Sequence, residues 1–167
     1  MRVTRGSVER NGPVRIVIGV DGSSEAEHAV RAVGHRTWPD GTEVRIIAVD
    51  DGASPAGISR ILPIAAATIR DAQEESALVA QRMVGWAENE LSVIGLNVSV
   101  AIEKGDPERV LIDHARRWEA DAIFVGGRRF SSAFERFRLG SVATGLITKA
   151  HCTVEVVRNP IPLHAAF

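Results

Sequence analysis

A chain of 167 residues with 45% apolar and 25% charged side chains has the composition of a folded globular protein, long enough for one hydrophobic core and short for two. Its 20 basic and 21 acidic residues leave a formal charge of −1, which excludes a global field drawing it to nucleic acid or to an anionic membrane. The single cysteine, Cys152, excludes an internal disulfide and a cysteine-built zinc site, so a reducing compartment, the cytoplasm, is the expected location.

Residues 1–13 are polar, carry Arg2, Arg5 and Arg10 without an apolar run of signal-peptide length, and are expected to form a flexible N-terminal tail. The domain is expected over 14–158 and a C-terminal tail over 159–167. Arg15 to Val20 is a β-branched run bounded by Pro13 and by Asp21-Gly22, the pattern of a fully buried strand. Ser23 or Ser24 caps a helix whose Ala26, Ala29, Val30 and Val33 form one apolar stripe, ended near Gly34 and Pro39. Glu43 to Val49 repeats the strand pattern and stops at Asp50-Asp51-Gly52.

Ala53 to about Ala67 contains Pro55, Gly57 and Pro63 among apolar residues and reads as a loop that covers a site or touches a partner. A long helix is predicted from about Thr68 to Leu91, on Ile69, Ala72, Ser76, Ala80, Val84, Ala87 and Leu91 at spacings of three and four. Val98, Val100 and Ile102 then alternate with polar residues as in a half-buried edge strand. Gly105-Asp106-Pro107 supplies turn, N-cap and first position of a third helix carrying Leu111, Ala115 and Trp118. Asp121 to Gly127 is a fourth strand, Val142 to Ala150 a fourth helix, and Cys152 to Val157 a fifth strand. No run approaches the ~18 apolar residues of a membrane-spanning helix.

Strands alternating with helices specify right-handed crossover units and a doubly wound α/β fold: a five-stranded parallel sheet, order 3-2-1-4-5, with helices on both faces. Ligands bind such sheets beyond the carboxyl ends of the strands, where the winding reverses. Three turns converge there: Val20-Asp21-Gly22, Val49-Asp50-Asp51, and Gly126-Gly127 with the loop to Gly140-Ser141. Asp21 suits ribose hydroxyls, and the N–H groups of a helix opening at Gly140-Ser141 suit a phosphate. The structural alternatives are that Asp21 fixes its own turn and that Ser141 is an ordinary cap.

Val-Asp-Gly-Ser after the first strand, Gly-Asp-Pro before the third helix and Leu-Gly-Ser-Val after the fourth strand resemble the universal stress protein family, from about Val14 to Arg158. Nucleotide-binding members carry Gly-x-x-Gly, nine residues, then Gly-Ser or Gly-Thr after the fourth strand. Here Gly127 stands where the first glycine is expected, and Phe130 occupies the second glycine position. Phenylalanine brings bulk where glycine admits close backbone approach, so the signature is degenerate, as in the family's non-nucleotide-binding class. Arg128 and Arg129 in the same loop could replace lost backbone donors with charge-assisted bonds to phosphate.

The resemblance therefore implies Asp21, Val49, Gly127, Gly140, Ser141 and Val142 as positions equivalent to nucleotide contacts, joined by Arg128 and Arg129, with ATP or AMP as the cofactor to test. It implies a stress-response regulatory protein that acts through binding, pairs as a homodimer through its fifth strand, and binds ATP weakly or not at all. The alternative is an ATP-binding protein with slow ATPase or phosphoryl-transfer activity, in which Asp21 with Asp50 or Asp51 holds nucleotide and metal. A flavin-binding doubly wound domain is weaker still, for want of stacking aromatics and a phosphate loop.

Arg128, Arg129, Arg136 and Arg138 interleave with Phe130, Phe134 and Phe137, yet the helical spacing of the aromatics favours packing over nucleic-acid contact. The five histidines offer no metal-ligand spacing, no catalytic elbow is present, and Cys152, opening a buried strand, reads as a small hydrophobe.

Overall fold

The computed structural model describes residues 2–3, 12–50, 63–127 and 140–158. The elements in chain order are β1 (Arg2–Val3), β2 (Arg15–Val20), α1 (Ser24–Gly34), β3 (Glu43–Asp50), α2 (Pro63–Val93), β4 (Asn97–Lys104), α3 (Pro107–Arg117), β5 (Ala122–Gly126), α4 (Ser141–Lys149) and β6 (Thr153–Val157). The sheet order is β1-β6-β5-β2-β3-β4. Five strands, β2 to β6, run parallel in the order read from the sequence, 3-2-1-4-5.

The N-terminal segment departs from the expected tail, because Arg2–Val3 adds a sixth strand, antiparallel to β6, with Arg2 opposite Glu155 and Val3 opposite Val154. Two residues carry no periodicity, and an edge offering unpaired N–H and C=O groups accepts a strand of almost any sequence. The second helix also starts earlier than its apolar spacing indicates. It begins at Pro63, a residue suited to a first helical position because the N–H it lacks has no intrahelical partner there. Residues 63–67 are thus helical, and the rest of the expected loop, 53–62, lies outside the described residues.

Two cores sandwich the sheet. On one face α1 and α2 bury Ala26, Ala29, Val30, Val33, Val84, Ala87 and Leu91 against Ile16, Ile18, Val44, Ile46 and Phe124. On the other, α3 and α4 bury Leu111, Ala115, Ala143 and Leu146 against Val17, Ile47, Ile123 and Val154. Burial on both faces is why β2, β3 and β5 read as continuous apolar runs. At the β4 edge Val98 is half-buried but Val100 and Ile102 remain 42% and 48% exposed, more open than the apolar face of a half-buried strand should be.

Short polar contacts pin the frame. Arg15 N–H donates to Asp121 Oδ2 at 2.9 Å while Asp121 N–H donates to Arg15 O at 2.8 Å, tying the start of β2 to the entry of β5. Trp38 donates Nε1–H to Val33 O at 2.8 Å and meets Phe124 edge-on, centroids 6.2 Å apart. Asp106 caps α3 by accepting from Arg109 N–H at 2.8 Å, with Pro107 at its first position.

The tightest approach is at the end of β5. A Cβ on Gly126 would meet the carbonyl carbon and oxygen of Glu25 at 2.4 and 2.6 Å and the nitrogen of Ala26 at 2.7 Å, all backbone atoms that cannot swing aside. Gly126→Ala is expected to destabilise the fold by about 2–3 kcal/mol, as overpacking against backbone does, read as a lower urea midpoint at unchanged slope.

Candidate functional site

At the carboxyl end of the sheet a cleft of about 560 Å³ opens between the ends of β2, β3 and β5 and the start of α4. It forms where the chain order reverses: β2 has β3 on one side and β5 on the other, and the crossover helices leave to opposite faces. Its walls include Val20, Asp21 and Ser23 from β2 and its turn, Val49 and Asp50 from β3, and Gly126 from β5. Gly140, Ser141, Val142 and Ala143 close one side, Val79 and Ala80 of α2 another.

Asp21 organises its own turn. Its Oδ1 accepts from Ser23 N–H at 3.0 Å and from the Ser23 hydroxyl, whose oxygen in turn accepts from Ala26 N–H at 3.1 Å. The capping residue of α1 is therefore Ser23, positioned by Asp21, and Oδ1 is the engaged oxygen. The intervening Gly22 has φ +79°, and a Cβ there would meet Val79 Cγ1 at 2.5 Å. Only glycine suits this turn, on backbone and on steric grounds.

The start of α4 differs from those of α1 and α3. Its N-cap is Gly140, which has no side chain with which to accept from the first-turn N–H groups. Thr144 N–H reaches Gly140 O at 2.9 Å, so the regular helical ladder begins there. The N–H groups of the preceding residues lie at the cleft wall with the positive end of the helix dipole, an arrangement that receives anions. Among the described lining residues the charged side chains are two carboxylates, Asp21 and Asp50.

Of the positions singled out from sequence, Asp21, Val49, Gly140, Ser141 and Val142 line this one cleft. Gly127 does not: its N–H donates to Val157 O at 2.7 Å, and a Cβ would strike Arg158 Cγ at 2.6 Å, so it sits beside β6 just past the last β5–β6 pair while Gly126 faces the cleft. Arg128, Arg129 and Phe130, and with them the Arg136, Arg138, Phe134 and Phe137 cluster, lie outside the described residues. Val79 and Ala80 escaped the sequence reading, which placed Ala80 in the core stripe of its helix. Nothing local in a helix says how far along a sheet edge it will stand.

Cys152 sits half-buried just before β6, away from the cleft. Desolvation pushes its thiol up to about 11. Thiolate is therefore scarce at neutral pH, and the modification rate with a disulfide reagent is expected to be far below that of a free thiol at pH 7 and to climb toward pH 11. Rapid modification at pH 7 would contradict that environment.

The described helices include none long and apolar enough to cross a membrane. Comparison with known proteins gives a consistent result. The Universal stress protein family matches residues 14–158. A universal stress protein of Methanocaldococcus jannaschii is 30% identical over 166 residues, covering 92% of this chain and 89% of its own. Among solved structures, the universal stress protein from Archaeoglobus fulgidus in complex with dAMP superposes with TM-score 0.59 at 23% identity, over 84% of this chain and 94% of its own. A universal stress protein family protein from Arabidopsis thaliana with AMP bound gives TM-score 0.59 at 16% identity, over 89% and 93%.

Proposed function

This chain belongs to the universal stress protein family, and from that premise we propose that it is a stress-response regulatory module of the cytoplasm that takes an adenine nucleotide weakly in the cleft and acts through binding. The observation that carries the reading is the juxtaposition of Asp21 and Val49 with an α4 N-terminus whose N-cap, Gly140, brings no side chain to its first-turn N–H groups. The dAMP and AMP complexes of the two structural neighbours support a nucleoside monophosphate as the ligand class.

Each part of the cleft has a chemical role in this reading. The free oxygen of Asp21 accepts from a ribose hydroxyl while Oδ1 keeps the turn closed. The backbone of Val49, at the end of β3, offers polar edges to a base whose faces meet Val79 and Ala80. The N–H groups of Ser141 and its neighbours take the first phosphate. Beyond that phosphate, Asp21 and Asp50 contribute negative charge to a low-dielectric wall, and Phe130 stands where nucleotide-binding members carry glycine. Both features oppose a triphosphate more than a monophosphate.

The reading extends to self-association through β6, the last of the parallel strands, in keeping with edges as sites of strand addition.

Calorimetry with AMP and with ATP plus magnesium tests the proposal. AMP is expected to bind the wild type with a dissociation constant on the order of 0.1–1 mM and ATP no more tightly, while Phe130→Gly tightens ATP by about tenfold or more. Micromolar ATP binding by the wild type, with steady hydrolysis, would replace this reading by the ATPase alternative.

A further inference from the structure

The outer edge of β6 has a defined hydrogen-bonding capacity. Thr153 N–H donates to Asp121 O at 3.2 Å, and Val157 O accepts from Gly127 N–H at 2.7 Å. In a parallel ladder alternate residues turn both backbone groups toward the same neighbour. Thr153, Glu155 and Val157 therefore address β5, and Val154 and Val156 turn their N–H and C=O groups outward. β1 runs antiparallel on that outer side with Val3 opposite Val154, so one of the two outward residues faces a strand of the same chain.

A second copy of the chain meeting this edge about a two-fold axis can do so in few registers. Centred on Glu155, Val154 of each copy opposes Val156 of the other, and two hydrogen-bonded pairs form. Centred on Val154 or on Val156, one such pair forms within the strand. The register with most bonds needs Val154 of both copies, the position opposite Val3. It also sets Glu155 against its counterpart, a like-charge pairing that would oppose assembly. Each carboxylate is already matched within its own chain: Arg36 donates Nη1–H to Glu155 Oε2 at 2.8 Å and Nη2–H to Oε1, with the guanidinium 5.1 Å above the Phe124 ring.

We propose that Arg2–Val3 is a displaceable cap on β6 that competes with a second copy of this chain for the same edge, so that the N-terminal strand gates self-association. This rests on the reading that the chain pairs through β6. The competition is direct because both partners need the outward peptide groups of Val154. The cap is weak, since a two-residue strand closes few hydrogen bonds, whereas the symmetric partner engages Val154 and Val156 of both chains.

The test is sedimentation velocity on the full chain, wild type beside Val3→Pro, which removes the N–H that β1 presents at this position. Arg2→Pro serves as a second variant on the same strand, and thermal melting verifies that each folds. Val3→Pro is expected to dimerise with a dissociation constant about tenfold lower than the wild type, and amide exchange at Val154 and Val156 is expected to slow together as the variant dimer forms. A wild-type dimer of equal strength overturns the cap and leaves pairing through β6 intact. Monomers of wild type and variants up to about 1 mM overturn both. A variant dimer in which Val154 and Val156 exchange rapidly uses another surface, and likewise overturns the proposal.

Discussion

β5 lies beside β2 with its last residue pressed against the first turn of α1, and this contact determines what the carboxyl edge of the sheet can do. Gly126 reaches the backbone of Glu25 and Ala26 at distances no larger residue tolerates. Because β5 ends there, α1 begins close to the sheet, Ser23 can cap it, and Asp21 can hold Ser23. The same strand pair is the place where neighbouring crossovers leave on opposite faces. The cleft is the gap that this reversal leaves, and α4 enters it with a glycine, Gly140, as its N-cap.

The polar and apolar contributions divide by position. The middle of the sheet is held by burial on two faces, with Ile16, Ile18, Ile46, Ile47 and Ile123 wholly enclosed. The amino end is held by paired contacts such as Arg15 with Asp121, and by Arg45 stacked 4.2 Å from the Trp118 ring. At the carboxyl end the cleft-lining residues of the turns are small or acidic, and their hydrogen bonds fix a shape more than they fill it.

Much of this was legible from the chain. Two-sided burial makes central strands read as apolar runs, and Gly105-Asp106-Pro107 announced a helix start that Asp106 and Pro107 in fact make. The fold class and strand order followed. What escaped the sequence has a common physical character: it depends on where distant elements stop. Arg2–Val3 pairs with β6 because an edge was open, not because two residues favour a strand. Val79 reaches the cleft because α2 runs past the turn at Gly22. The motif spacing selected Gly127, whereas packing turns Gly126 to the cleft and leaves Gly127 bonded to Val157 of β6. Asp21 was open to two roles, turn fixation and ligand contact, and the bonds to Ser23 establish the first while engaging one oxygen only.

The central claim is that a nucleoside monophosphate enters at the meeting point of β2, β3 and α4. The most direct measurement is a backbone amide NMR titration of the full chain with AMP. The account predicts saturable shifts concentrated at Asp21 to Ser23, at Val49 and Asp50, and at Ser141 to Ala143, with those near Trp118 at the opposite end of the sheet unmoved. Shifts confined to that opposite end, or none at millimolar AMP, would contradict it.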